Sequence, residues 1–249
     1  MDLYIDERID EVNDKISLIQ KTDGLTFGTD ALLLAGYVSG RYKIGAELGG
    51  GSGIISMLLL TRDKIGTAVA YEVQEEYAHL IARNAEYNGL SDRLTSVCLD
   101  IRELPTDESC DIVFTNPPYM KSDSGKSNLS DKKAIARHEL HGDISDFCKA
   151  AKKKLKYGGS FYAVYRPDRL ADILEAMREN QLEPKRMTFV HADTGKESSM
   201  VLIEAKRGGK GGMMLTPPLI IYQEDEHREY SEDMKYIMQN GHFPPKYKR

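Results

Sequence analysis

Four glycines in five residues, Gly49-Gly50-Gly51-Ser52-Gly53, separate a short apolar run ending at Glu47-Leu48 from the stretch Ile54-Ile55-Ser56-Met57-Leu58-Leu59-Leu60. A strand, a glycine turn and a helix start fit this pattern. Glycine takes positive φ at no cost and lets the backbone approach a ligand closely. The same alternation continues along the chain. Strands are expected near 45–48, 67–71, 95–99 and 111–115, with helices near 53–61 and 75–88. The second helix would bury Ala78, Ile81, Ala82 and Ala85 on one face. A helix over 143–156 should stop at Gly158-Gly159, followed by a strand at 160–164 and a helix from 167 to 180. Two β-rich runs, 186–191 and 199–205, read as an antiparallel hairpin at the edge of the sheet. Asp30 stands as an N-cap for an apolar helix through Val38, and 16–19 is a short strand or a turn. The fold class is therefore α/β with a mainly parallel sheet.

A glycine loop alone is weak evidence, because dinucleotide-binding folds share it. Glu47 argues against a dinucleotide, since it would repel a pyrophosphate. A carboxylate there suits an amino group or a cationic centre, such as the methionine part of S-adenosylmethionine. Glu72 ends the second strand about 20 residues on, where an acid holds ribose hydroxyls; the plain alternative is a solvated acid. Asp100 follows the third strand, where it would meet an adenine amino group or serve as an N-cap.

Asn116-Pro117-Pro118-Tyr119 follows Asp111-Ile112-Val113-Phe114-Thr115. Two prolines make the end of a buried strand rigid. The carboxamide oxygen and the carbonyl that precedes proline can each accept one N–H of an exocyclic amine. Pulling both hydrogens out of plane favours attack by a conjugated nitrogen, so the transition state is bound better than the ground state. The tyrosine can stack on the attached plane. A structural turn is the alternative.

The order of Glu47 to Gly53, Glu72, Asp100 and Asn116 to Tyr119 resembles the S-adenosylmethionine-dependent amino-methyltransferases. The segment Thr22-Asp23-Gly24-Leu25-Thr26-Phe27-Gly28-Thr29-Asp30-Ala31-Leu32-Leu33-Leu34 is similar to one in the bacterial tRNA(Val) adenine-37 N6-methyltransferases. So are Ala136-Arg137-His138-Glu139 and Pro217-Pro218-Leu219-Ile220-Ile221-Tyr222. The resemblance implies a Rossmann-like class I methyltransferase with a seven-stranded, mostly parallel sheet. It implies a single domain over 1–249, with 1–40 covering the cofactor and 206–249 as a basic appendage. S-adenosylmethionine would be held by Phe27, Thr29, Asp30, Glu47, Gly49, Gly51, Gly53, Glu72, Val73, Asp100, Ile101 and Asn116. Asn116, Pro117, Pro118 and Tyr119 would be catalytic, acting on N6 of adenine 37. Many relatives carry aspartate where this chain has Glu47. Three competing readings are methylation of guanine N2 in ribosomal RNA, methylation of a protein glutamine, and a non-catalytic module that binds RNA or cofactor. The short stretch before the glycine loop argues against the glutamine enzymes, which carry a separate helical domain.

Net charge is −5 over 249 residues, yet its distribution is uneven. Residues 1–120 hold 20 acids against 10 bases, and residues 121–249 hold 19 against 24. Bases cluster at Lys149, Lys152, Lys153, Lys154 and Lys156, at Lys206, Arg207 and Lys210, and at Lys246, Lys248 and Arg249. A basic surface within 121–249 would therefore take tRNA, since each neutralised phosphate releases counterions. The polar stretch 120–135 reads as a substrate loop or a connector. His138 and His141 lack a third convergent ligand, so no metal is expected. The three cysteines match no disulfide or zinc spacing, and Cys98 and Cys148 read as core residues. With no membrane-length apolar run and no signal pattern, the cytoplasm is the expected compartment. Oligomeric state has no sequence signature.

Overall fold

The computed structural model describes residues 3–22, 27–118, 142–223 and 229–248. An N-terminal hairpin pairs β1 (Glu7–Asn13) with β2 (Ile16–Lys21). Then follow α1 (Thr29–Tyr37), β3 (Tyr42–Leu48), α2 (Ile54–Thr61), β4 (Ile65–Glu72), α3 (Glu75–Tyr87), β5 (Leu94–Cys98) and β6 (Cys110–Thr115). After α4 (Ile144–Lys154) come β7 (Leu155–Tyr165), α5 (Leu170–Glu179), β8 (Leu182–His191) and β9 (Ser198–Arg207). The short β10 (Met214–Leu215) and β11 (Leu219–Ile220) precede α6 (Glu232–Asn240).

Among the described residues the main sheet runs β10-β8-β9-β7-β6-β3-β4-β5, with β11 also on β8. The strands β5, β4, β3, β6 and β7 are mutually parallel. Strand β9 lies antiparallel between β7 and β8. The expected seven strands are all present, in a Rossmann-like arrangement. Two short strands on β8 are additions that the sequence reading lacked, whereas 16–19, expected as a short strand or a turn, lies in β2, whose partner β1 that reading also lacked.

Parallel strands are buried on both faces, so successive residues feed two cores. Ile112 and Phe114 of β6 join one, with α1, α2, α3 and α6. Val113 joins the other, with α4 and α5. Every residue from Ile54 to Leu60 is buried. Helix α2 is therefore covered all round, as its unbroken apolar run requires. The stretch expected as a C-terminal appendage buries Met234, Ile237, Phe243 and Tyr247 in the first core.

Several local expectations are corrected. Gly28, not Asp30, is the N-cap of α1, and Asp30 lies inside the first turn. Helix α4 ends at Lys154, before Gly158-Gly159, because Leu155 already pairs with Cys110 of β6. The two glycines fall in an irregularity of β7, where a Cβ on Gly159 would stand 2.9 Å from the Lys156 carbonyl. On α3, Ala82 is exposed, while Arg83 and Asn84 are buried. The reason is the hairpin, which covers the side of α3 that carries them. Cys98 is exposed rather than in the core, since it ends the edge strand β5. Among the described residues no helix is long and apolar enough to cross a membrane, and no three His, Cys, Asp or Glu side chains converge.

Candidate active site

Register aligns the strand ends that carry the predicted residues. Leu48 pairs with Thr115 on one side and with Tyr71 on the other, and Glu72 pairs with Cys98. Gly49, Asn116, Glu72 and Asp100 therefore stand in a row along the C-terminal edge. Thr115 Oγ1 donates to the Leu48 carbonyl at 2.7 Å and locks the two central ends together. Brought to the same edge are Gly51, Gly53, Val73 and Ile101. Open sheets of this kind take ligands at that edge.

The glycine turn needs its glycines. Gly49, Gly51 and Gly53 have φ of +71°, +53° and +80°. A Cβ on Gly53 would meet Ile81 at 3.0 Å, whereas one on Gly51 would meet nothing within 4 Å. The backbone at Gly51 thus faces open space that a ligand can fill. Gly51 N–H donates to Glu72 Oε2 and Gln74 N–H to Glu72 Oε1, each at 3.0 Å. Glu72 is only 5% exposed, yet each of its oxygens keeps a lone pair for a hydroxyl.

Glu47 has a different neighbourhood from the one its sequence position suggests. It is 1% exposed and accepts from both the N–H and the hydroxyl of Ser56 in the first turn of α2. Burial pushes its carboxyl up to about 8, against the pull of the two Ser56 bonds. Asp100 caps the single-turn helix Ile101–Glu103, and the Arg102 side chain bonds both of its oxygens. The local capping role is therefore the one its geometry displays.

Asn116 carries the most telling geometry. Its Nδ2 donates to Asp30 Oδ2 at 2.8 Å. Its Oδ1 is buried and has no hydrogen-bond partner among the described residues. A buried unpaired acceptor is costly, and native proteins seldom leave one without a partner. Pro117 is buried and Pro118 exposed. Phe27, Thr29 and Asp30 are half-buried and begin the segment that reaches Asn116. Tyr119, loop 120–135, His138-Glu139 and His141 lie outside the described residues.

Two residues missed in the sequence hold this segment. Asn84 Oδ1 accepts from Ile19 N–H at 2.7 Å, and its Nδ2 donates to the Ile19 and Ser52 carbonyls, both at 3.1 Å. Gln20 Oε1 accepts from Phe27 N–H at 2.8 Å, and its Nε2 donates to Asp10. The hairpin is thereby fastened both to the glycine turn and to the start of α1.

Two of the basic clusters lie away from this edge. Leu155 pairs with Cys110 and Lys206 with Ser160, so Lys152 to Lys156 and Lys206 to Lys210 lie toward the N-terminal end of β6. That strand of 6 residues spans about 20 Å. Several of these cations already have acids: Lys156 with Asp111 and Arg207 with Glu108, each at 2.7 Å, and Lys154 with Asp107. Cations near the C-terminal edge are Arg166 and Arg169, after β7, and Lys196, between β8 and β9.

A family model described as RMKL-like, methyltransferase domain, matches residues 59–197. The chain belongs to this family. The match includes Glu72, Asp100 and Asn116. Among curated proteins the chain is similar to the tRNA1(Val) (adenine(37)-N6)-methyltransferase of Dyadobacter fermentans, 24% identical over 180 residues, or 72% of this chain and 74% of that protein. The protein of the same name from Flavobacterium psychrophilum is 23% identical over 218 residues, 86% of this chain and 91% of that one. Among solved structures, a predicted O-methyltransferase from Agrobacterium tumefaciens superposes with a TM-score of 0.70 at 23% identity, across 86% of this chain and 98% of that one. P. horikoshii TYW2 in complex with MeSAdo gives 0.57 at 13% identity, across 82% and 72%. These likenesses show the methyltransferase fold.

Proposed function

We propose that this chain transfers a methyl group from S-adenosylmethionine to the exocyclic N6 of an adenine in tRNA, at position 37 of tRNA(Val). The observation that carries the reading is the Asn116 carboxamide: Nδ2 is tied to Asp30, and Oδ1 is a buried acceptor awaiting a donor. An exocyclic amine supplies that donor. The names of the curated relatives supply the substrate class.

The open cradle at Gly51 and the half-satisfied Glu72 carboxylate fit an adenosyl cofactor. Glu72 would hold its ribose, with Gly49, Gly51, Gly53, Val73 and Ile101 around it. S-adenosylmethionine, when bound, would supply an electrophilic methyl on a sulfonium, whose sulfur would keep the electron pair of the broken S–CH3 bond and leave as a neutral thioether. The target base leaves its stack to reach the edge of the sheet. Asn116 Oδ1 accepts one N6–H, and the Pro117 carbonyl accepts the other. Tyr119 stacks on the adenine. The nitrogen then sheds one proton to solvent, since Asn116 is a neutral amide and serves to orient and polarise. Most of the acceleration comes from positioning.

Residues 1–249 act as one catalytic domain, with the N-terminal hairpin covering the site. The tRNA backbone meets Arg166, Arg169 and Lys196 first, because they share the edge with Asn116. Their present partners, Asp168, Asp172 and Asp193, are surface acids. Such pairs are worth about 0–1 kcal/mol and yield readily to phosphate.

The test is incubation with deuterated-methyl S-adenosylmethionine and unmodified total tRNA, followed by mass spectrometry of the nucleosides. Labelled N6-methyladenosine, lost in Asn116→Ala with cofactor affinity kept, is the expected result. No labelled nucleoside in tRNA, with label appearing instead when ribosomal RNA or protein is supplied as substrate, would overturn it.

A further inference from the structure

We propose that Asp30 is a positioning residue for Asn116 rather than a ligand of the cofactor, an inference that rests on the catalytic reading of Asn116. The two residues are 86 apart in the chain and meet at 2.8 Å. A carboxylate only accepts hydrogen bonds, so the amide must turn its NH2 to Asp30 and its oxygen away. That is the orientation the reaction needs. A flipped amide would set two donors against N6 and could not hold the amine. The negative charge behind the NH2 also polarises the amide and makes Oδ1 a better acceptor.

Each Asp30 oxygen already holds one donor of the protein. Oδ2 takes the Asn116 amide, and Oδ1 takes the Ala31 N–H at 2.9 Å. The carboxylate is thus fixed to the first turn of α1. Space is kept for it by Gly28, where a Cβ would stand 2.6 Å from Asp30 Oδ1. The segment is anchored in turn through Phe27 N–H to Gln20 Oε1 at 2.8 Å, and through Gln20 to Asp10 of the hairpin. The N-terminal hairpin therefore sets the angle of an amide at the far side of the glycine turn. This gives the hairpin a task in catalysis beyond covering the site.

The experiment uses the full chain and three substitutions, Asp30→Asn, Asp30→Ala and Gly28→Ala. An asparagine at 30 has one acceptor oxygen for two donors, so one of the two bonds is lost. Two quantities are measured for each: the dissociation constant of S-adenosylmethionine by calorimetry, and single-turnover methyl transfer to tRNA at saturating cofactor. The proposal expects the transfer rate to fall about tenfold or more, as small misplacements do in positioned reactions. Cofactor affinity should stay within about twofold. A matching loss of cofactor affinity with unchanged transfer would make Asp30 a cofactor ligand and overturn it. A third measurement does not depend on the reaction. The side-chain amide protons of Asn116, assigned by NMR in wild type and Asp30→Asn, should move upfield and exchange faster in the variant. Unchanged amide protons would overturn the contact itself. If wild type methylates no tRNA while the amide protons respond as expected, the substrate reading fails and the Asp30–Asn116 coupling stands.

Discussion

Glu47 accepts the backbone N–H of Ser56 at 3.1 Å and its hydroxyl as well, and so closes the first turn of α2 from the end of β3. The acid sits where a helix N-terminus favours negative charge. Burial outweighs that help and raises the carboxyl from the ordinary 4.5 to about 8. The folded state therefore holds this proton more tightly than the unfolded chain. Stability from this group is full below pH 4.5 and is lost as pH rises through about 8. Across that window each pH unit changes stability by up to about 1.4 kcal/mol. Glu47→Gln keeps an acceptor for Ser56 and removes the titration. Thermal melts from pH 5 to 9 should show a steeper alkaline decline in wild type than in the variant. Equal slopes would mean Glu47 stays ionised.

Asn84 is 0% exposed and makes three hydrogen bonds to the backbone of Ile19 and Ser52. Asn84→Ala leaves buried groups without partners, each worth about 1–3 kcal/mol. The expected loss is about 2–4 kcal/mol in urea unfolding, with earlier proteolysis between residues 3 and 22. A loss below about 1 kcal/mol would mean water enters and replaces the amide.

What the sequence made legible was local. The glycine turn, the acid at Glu72 and the prolines after Asn116 announce themselves by spacing, because turns and strand ends are written in neighbouring residues. The contacts of Asn84 with β2 span 65 positions, and that of Asp30 with Asn116 spans 86. No periodicity encodes such pairs; only folding brings them together. Asp100 fits the local side of this division, since its cap on Arg102 reaches only two residues and the N-cap role is one of the two readings of its position. Counting charge along the chain likewise revealed an uneven distribution but not which end of the sheet it occupies.

Gly51 separates fold from ligand. Its φ of +53° and the empty space at its Cβ position mean that alanine strains the backbone without striking a neighbour. The strain is about 1–2 kcal/mol. The methyl would project into the space assigned to the cofactor. Gly51→Ala should lower the melting temperature modestly and weaken S-adenosylmethionine binding about tenfold or more by calorimetry. Gly50→Ala is the contrast: its Cβ would stand 2.7 Å from Ile81 Cδ1, so stability should suffer more than affinity. Equal affinity for wild type and Gly51→Ala would move the cofactor away from this turn.

The last prediction concerns where RNA lies. If net local charge alone decided, Lys152 and Lys206 would dominate, since they belong to the densest basic clusters. Geometry says otherwise, because they sit toward the opposite end of β6 from Asn116. Arg169 and Lys196 follow β7 and β8 at the edge that carries Asn116. Each phosphate contact contributes about one unit to the slope of log affinity against log salt. The double variant Arg169→Glu/Lys196→Glu should therefore raise KM for tRNA about tenfold or more at 0.1 M salt. It should also flatten the salt slope by about 2. The double variant Lys152→Glu/Lys206→Glu should change KM less than about twofold. Both variants should bind S-adenosylmethionine as wild type does, since none of the four residues adjoins the glycine turn. The opposite ranking would place tRNA around the far end of the sheet.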